Sequence, residues 1–147
     1  MIIVVLTVLG LIFGSFVNAL VWRLHEQEGK SKKSRQQYSI LNGHSMCPNC
    51  HHELAAKDLV PVLSWLWLRG KCRYCRKPIS WQYPAVELMT GLLFVGSYLW
   101  WPLSLQGVGL FQFVVWLGFI VGFMALAVYD LRWFTLPNRI VYPLIAL

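Results

Sequence analysis

Ile2–Val21 reads IIVVLTVLGLIFGSFVNALV, a run of twenty residues without Asp, Glu, Lys, Arg or His. A helix rises about 1.5 Å per residue, so this run reaches roughly 30 Å, the thickness of one bilayer core. A cleaved signal peptide is the alternative, but the run lacks a basic start and is longer than the apolar stretch of such a peptide. We therefore predict that residues 1–22 form a retained transmembrane helix.

A second apolar run lies towards the C-terminus. Leu88–Tyr129 carries no charge over about twice the length of one span, and Pro102 marks a turn near its middle. We expect residues 84–129 to form a hairpin of two transmembrane helices. The last apolar run, residues 140–147, is too short to cross a bilayer.

The whole chain is too apolar to be a soluble globular protein. Hydrophobic residues make up 57% of its 147 residues and charged residues make up 13%, whereas soluble domains have about 45–50% and about 25%. The same composition excludes a disordered chain. We predict an all-α polytopic membrane protein with a small domain at residues 23–83, between its first and second transmembrane helices.

Almost all of the basic charge lies in that small domain. Residues 23–83 hold eleven of the thirteen Lys and Arg residues, and the net charge of the chain is +7. Under the positive-inside rule, this segment faces the cytoplasm. The charge could instead bind nucleic acid, but membrane orientation already accounts for it. We expect membrane lipid, and no nucleic acid, as a partner.

Two C-x-x-C motifs in the small domain predict a zinc site. Cys47 and Cys50 form the first motif, and Cys72 and Cys75 form the second. Two residues between cysteines allow a tight turn that directs both sulfurs at one ion, and two such turns complete a tetrahedron. A pair of disulfides is the alternative, but it requires an oxidising compartment. We expect a closed, structural zinc site with all four cysteines as ligands.

Two acidic residues lie at or near the membrane, where charge is costly unless it has a function. Asp130 ends the third predicted span, and residues 130–147 then form a loop and the beginning of a fourth helix. A carboxylate at this depth can serve as half of an acid–base pair, so Asp130 is the candidate catalytic residue. Glu87 begins the second span, either as an acid favoured at a helix N-terminus or as a polar contact near a site.

A small polar face is predicted on the first span. Ser15 and Asn18 are three residues apart and share one side of the helix. We expect this side to pack on another helix or to line a cavity, as small and polar residues do between membrane helices. Gly14, next to Ser15, allows a close approach.

Together with these residues, several longer motifs resemble those of the bacterial type IV prepilin peptidases, the prepilin leader peptidase/N-methyltransferase family. The resemblance extends over nearly the whole chain except Glu26–Gly43. The matching segments are Gly14–Asn18, Arg23–Leu24, Asp58–Trp65, Leu68–Cys75, Pro78–Ser80, Tyr83–Leu88, Asp130–Leu131 and Leu136–Asn138.

The resemblance implies a polytopic inner-membrane aspartic peptidase, a hydrolase that acts in type IV pilus assembly and type II secretion. Members of the family remove the leader peptide of type IV prepilins and type II secretion pseudopilins on the cytoplasmic side. Many also methylate the new N-terminus with S-adenosylmethionine. The catalytic pair is an aspartate at the position of Asp130 and a second aspartate in a G-x-G-D motif.

The chain departs from the family pattern in one respect, because it contains no G-x-G-D motif. The family has more membrane helices, and Leu147 falls inside the expected fourth one. We therefore expect a truncated chain that corresponds to the N-terminal portion of such an enzyme. The alternative is an inactive or non-catalytic membrane scaffold with a structural zinc site. No residue can be assigned to S-adenosylmethionine.

Overall fold

The structure is a computed structural model, and it describes residues 1–27, 45–135 and 137–146. Within these residues, β structure is limited to two isolated bridges, Met46 with Glu53 and Lys71 with Pro78. The helical elements are α1 (Ile2–Gln27), a 3-10 turn (Ala56–Asp58), α2 (Leu63–Trp67), α3 (Gln82–Leu99), α4 (Val108–Trp133) and α5 (Asn138–Ile145).

Two helices in the described part of the chain, α1 and α4, are long and apolar enough to cross a membrane. In each, only 28% of the apolar stretch is buried inside the protein. The remaining surface is a continuous apolar face that a soluble protein would not leave exposed to water. Lipid covers such a face without cost. The predicted class, an all-α polytopic membrane protein, is confirmed.

Two helices end later than the predicted spans. The first helix continues past the apolar run to Gln27, and α4 continues to Trp133. Asp130 therefore lies in the last turn of α4, and the residue after the helix, Phe134, has a left-handed φ of 53°. The helix α3 forms where the second span is predicted, but its first two turns include polar residues such as Glu87. Its crossing of the membrane stays a prediction.

Glycines bring α1 and α3 into backbone contact. A Cβ atom added to Gly10 would lie 2.6 Å from the Cα of Gly91, and one added to Gly14 would lie 2.6 Å from the Cα of Glu87. No side chain fits at these two positions of α1, which is how small residues pack membrane helices. The close approach expected at Gly14 is present, and Gly10 extends it by one turn.

Contacts at the C-terminal end of α1 hold the other helices. The imidazole of His25 stacks on Trp133 of α4, with ring centroids 3.9 Å apart. The Nη1 of Arg139 in α5 donates a hydrogen bond to the Oε1 of Gln27 at 2.6 Å. The end of α1, the end of α4 and the beginning of α5 therefore meet at one end of the bundle. This end also carries the small domain, because Asn18 and Arg23 of α1 line a cavity together with residues of that domain.

Candidate functional site

The four predicted ligands come together in the small domain. The Sγ atoms of Cys47, Cys50, Cys72 and Cys75 lie within 4.8 Å of one another, and all four cysteines are free thiols. The closest described contact joins the sulfurs of Cys47 and Cys75 at 3.9 Å. This set of sulfur atoms could hold a metal ion, as the motif spacing predicts.

The two C-x-x-C turns have the same backbone geometry. The N–H of His51 donates to the carbonyl of Cys47 at 2.9 Å, and the N–H of Arg76 donates to the carbonyl of Cys72 at 3.0 Å. His51 and Arg76 have φ of 54° and 57°, a region that favours glycine. The sequence does not predict this left-handed turn, because neither residue is glycine or asparagine.

The first thiol of each turn accepts backbone N–H groups from the second and third residues after it. Burial raises the pKa of the Cys72 thiol, but these donors and the neighbouring thiols lower it to about 7. Burial, together with the thiols of Cys50 and Cys72, raises the pKa of Cys47 to about 12. If all four neighbouring thiols lost their protons, the negative charges would repel one another. A metal ion bound among them removes this repulsion. The donor set therefore fits a thiolate-bound metal.

An ion pair anchors the second turn to the rest of the small domain. The Nε of Arg73 lies 2.7 Å from the Oδ1 of Asp58, and the hydroxyl of Tyr74 donates to its Oδ2 at 3.1 Å. The Asp58 side chain is only 3% exposed. Burial raises the pKa of Asp58, but Arg73 and Tyr74 outweigh burial and hold it below its usual value. The sequence does not identify Asp58 as a site residue, because no local pattern pairs it with Arg73, fifteen residues later.

Glu87 connects the small domain to the membrane helices. Its Oε2 accepts the backbone N–H of Val62 at 2.7 Å, and its carboxylate also accepts a hydrogen bond from Ser15 of α1. Glu87 is 7% exposed. Val62 has φ of 60°, which is uncommon for a β-branched residue. The bond to Val62 favours the interpretation of Glu87 as a polar contact over the helix N-terminal one.

The other half of the polar face on α1 also contacts α3. The Nδ2 of Asn18 donates to the carbonyl of Tyr83 at 3.0 Å. Tyr83 lies before Pro84, which has no N–H, at the beginning of α3. The structure therefore agrees with both alternatives predicted for Ser15 and Asn18. They pack on a neighbouring helix, and they line a cavity.

This cavity has a volume of about 140 Å³ and lies between the small domain and helices α1 and α3. Its polar wall includes Ser15, Asn18 and Glu87, and three aromatic residues line it. These aromatic residues are Trp22, Trp65 and Tyr83. The buried cysteines Cys47 and Cys72 also contribute. The cavity therefore extends from the thiol cluster to the carboxylate of Glu87.

Asp130 lies apart from this cavity. Its side chain is exposed, and it is not among the residues that line the cavity. It is in the last turn of α4, where its carbonyl accepts the N–H of Phe134 at 2.8 Å. Since Trp133 stacks on His25 of α1, Asp130 lies at the end of the bundle that carries the small domain. The structure thus brings the four cysteines together, and it leaves Asp130 on an outer face near them.

A family model described as "Bacterial Peptidase A24 N-terminal domain" matches residues 8–101. The "Prepilin leader peptidase/N-methyltransferase" of Dickeya chrysanthemi is 36% identical over 154 residues, which cover 95% of this chain and 52% of that relative. The protein of the same name from Pectobacterium carotovorum subsp. carotovorum is 36% identical over 151 residues, with coverage of 95% and 52%.

A third relative is the "Type 4 prepilin-like proteins leader peptide-processing enzyme" of Escherichia coli O78:H11. It is 36% identical over 143 residues, which cover 92% of this chain and 51% of that relative. The chain therefore spans about half the length of the curated relatives it matches. No solved structure matches the chain.

Proposed function

Since the chain belongs to the bacterial peptidase A24 N-terminal domain family, we propose that it is the N-terminal portion of a membrane aspartic endopeptidase. This enzyme removes the leader peptide of type IV prepilins or type II secretion pseudopilins. The observation that carries the proposal is the 36% identity to a prepilin leader peptidase/N-methyltransferase across 95% of the chain.

Asp130 supplies one carboxylate of the catalytic pair in this proposal. In such a pair, one carboxylate takes a proton from water while the other, still protonated, polarises the scissile carbonyl. The exposed position of Asp130 at the end of α4 supports this role, because a substrate helix in the membrane can reach it there. The partner aspartate of the G-x-G-D motif is not among these 147 residues.

A chimera tests the proposal. The chain is fused to the second half of the Dickeya chrysanthemi relative and is produced with a prepilin in cells that lack their own prepilin peptidase. We expect the leader to be cleaved, and we expect Asp130→Asn to lower cleavage by at least about a hundredfold, since acid–base catalysis contributes about 10²–10⁴.

The matched control is Glu53→Gln, which changes an exposed carboxylate of the small domain. This control should cleave like the unchanged chimera. Cleavage that survives in Asp130→Asn, in protein that still inserts into the membrane, would refute the role given to Asp130.

A non-catalytic scaffold is the second candidate function, and the four-cysteine cluster favours it, since a closed set of four ligands is a structural feature and leaves no position for a substrate. In that case the chain would hold pilus or secretion components at the membrane through its small domain. The two candidates can be distinguished by producing the 147-residue chain with a prepilin in the same peptidase-deficient cells. Processing of the prepilin by the 147-residue chain alone would exclude the scaffold.

The metal of the four-cysteine cluster is zinc in this proposal, and its role is structural. Thiolate ligands suit Zn²⁺ and disfavour Mg²⁺ or Ca²⁺, and four protein ligands leave no open position for a substrate. Cys47, Cys50, Cys72 and Cys75 would hold the ion. Zinc would fasten the two C-x-x-C turns to each other.

The names of the relatives include N-methyltransferase activity. We propose that the complete enzyme also methylates the new N-terminus of its product, with S-adenosylmethionine as the methyl donor. Labelled S-adenosylmethionine tests this activity in the chimera. Label should appear in the cleaved pilin, and product that stays unlabelled would refute it.

A further inference from the structure

Glu87 is a buried carboxylate without an ionic partner in the part of the chain that the structure describes. It accepts hydrogen bonds from Val62 and Ser15, and the ion pair of Arg73 belongs to Asp58. A carboxylate can accept about four hydrogen bonds, so acceptor capacity remains. A buried charge without a partner is costly. Glu87 also lines the cavity, so a cation in the cavity could reach it.

Three aromatic side chains, Trp22, Trp65 and Tyr83, line the cavity that Glu87 also lines. Trp65 is held in place, since its Nε1 donates to the carbonyl of Ile79 at 3.1 Å and a Cβ added to Gly70 would lie 2.9 Å from its ring. Aromatic faces attract organic cations when these are removed from water. A cavity lined by a carboxylate and by aromatic rings has the groups that recognise an ammonium ion.

The other charges of the cavity wall do not neutralise Glu87. Asp58 and Arg73 pair with each other. Arg23 lies eight residues after Ser15, which places it about 12 Å further along α1. The unpaired negative charge is therefore at the end of the cavity where Ser15 and Asn18 lie. Arg23 lies towards the opposite end and has an interaction of its own.

The size of the cavity limits its occupant. About 10–15 Å³ of such volume holds one water molecule, so about 140 Å³ holds roughly ten. This space admits one or two residues of an extended peptide, and it is too small for a helix. Under the proposed function, hydrolysis of the leader creates a new α-amino group, which is largely protonated at neutral pH.

We propose that the cavity binds the α-ammonium group of a peptide N-terminus, with Glu87 as its counter-ion and the aromatic side chains of the cavity around it. The proposal rests on the proposed function for the source of that amine. It assigns to Glu87 the recognition of the cleaved product, separately from the hydrolysis assigned to Asp130.

Titration calorimetry tests this site on the purified 147-residue chain in detergent micelles. The probes are leucyl-leucinamide, which has a free amine, and its N-acetylated form, which is neutral. We expect the free amine to bind at least about tenfold more tightly than the acetylated form. Glu87→Gln should abolish this difference, since glutamine keeps an acceptor for Val62 but has no charge. Glu53→Gln, in which the changed carboxylate lies outside the cavity, should bind like the unchanged chain.

Equal affinity for the two probes, or binding of neither, would overturn the proposal. Both results come from the unchanged chain, so they do not depend on whether Glu87→Gln folds. The proposal would also be overturned if Glu87→Gln unfolds at the same temperature as the unchanged chain and still prefers the free amine. Failure of cleavage in the chimera is a separate result and does not alter these outcomes.

Discussion

Asp58 shows how one side chain stabilises a domain that has almost no hydrophobic core. Between residues 45 and 81, only Cys47, Gly70 and Cys72 are buried. The carboxylate of Asp58 is covered by Arg73 and Tyr74, and it connects the 3-10 turn to the second C-x-x-C turn. In a domain with so few apolar contacts, the loss of one ion pair has a measurable effect.

The stability of the small domain should therefore depend on the ionisation of Asp58. The pKa of Asp58 is lowered in the folded protein, whereas that of an unfolded aspartate is about 3.9. The stabilisation is thus complete above about pH 4 and is lost as the pH falls through the lower, folded value. We expect Asp58→Asn to lower the free energy of unfolding by about 1 kcal/mol at pH 7.

Tryptophan fluorescence during chemical unfolding measures this difference. The gap between the two proteins should begin to narrow below about pH 4, and it should close only when the pH falls below the lowered pKa of folded Asp58. Protonation of the cysteines affects both proteins alike, so it cancels in the comparison. A gap that is the same at pH 7 and pH 3 would contradict the assignment of the low pKa to Asp58.

At the scale of elements, α1 and α3 are held together by backbone contact. Gly10 and Gly14 leave no room for a Cβ atom, whereas a Cβ atom on Gly91 would meet Leu11 at an ordinary 3.5 Å. At this interface, Gly10 and Gly14 are required because a larger residue would clash with the neighbouring backbone, whereas Gly91 has room for a methyl group. Contact at Gly14 also brings the hydroxyl of Ser15 next to the carboxylate of Glu87.

The same substitution at two glycines should have opposite effects. Gly14→Ala forces the Cα of Glu87 away, and we expect a loss of about 1–3 kcal/mol of stability. Gly91→Ala should be neutral or stabilising by up to about 1 kcal/mol, since alanine favours the helix. Thermal unfolding in micelles compares the two variants. Equal effects would mean that α1 and α3 are not in backbone contact in the membrane.

Under the proposed zinc site, the cysteine turns are elements that depend on a metal. We expect about one zinc per purified chain, because four thiolates complete one tetrahedral site. A chelator, or Cys72→Ser, should loosen the small domain and leave the helical circular dichroism signal nearly unchanged, since the long helices do not contain the ligands. Metal analysis and limited proteolysis between residues 45 and 81 measure both effects. Disulfides found after thiol blocking during native isolation would contradict the zinc site.

At the scale of the whole molecule, the functional groups collect at one end. The contacts His25–Trp133 and Gln27–Arg139 hold the ends of α1 and α4 and the beginning of α5 together. The small domain joins the same end through Glu87 and Val62. The cysteine cluster and Asp130 are therefore on the same side of the bundle. Under the proposed function, a prepilin whose leader lies on that side would meet both.

The basic charge of residues 23–83 predicts that this side is cytoplasmic. Insertion of alkaline phosphatase after Trp81 should give an inactive enzyme, and green fluorescent protein at the same site should fluoresce. Insertions after Leu105, in the predicted hairpin turn, should give the reverse result. Active phosphatase at Trp81 would place the cysteine cluster outside the cytoplasm and would remove the basis for a zinc site.

The sequence by itself determined the class of the protein and indicated the cluster of four cysteines. Apolar runs such as Ile2–Val21 settle the membrane class, because the transfer of each residue into lipid depends on its own side chain. The C-x-x-C spacing predicts the cysteine cluster, because two intervening residues suffice for each turn. The family, too, is evident from motifs read along the chain. These are local properties, and the structure and the family comparison agree with them.

Only the tertiary structure decided which polar residues meet. The pairs Glu87 with Val62 and Asp58 with Arg73 are far apart in sequence. The bond between Glu87 and Val62 also involves a positive φ at Val62. Neither the pairs nor this φ is visible in composition or spacing. The separation of Asp130 from the cavity likewise depends on which face of α4 packs inward. That choice follows from the fit of whole helices, whose contacts join residues too distant for any local pattern to specify.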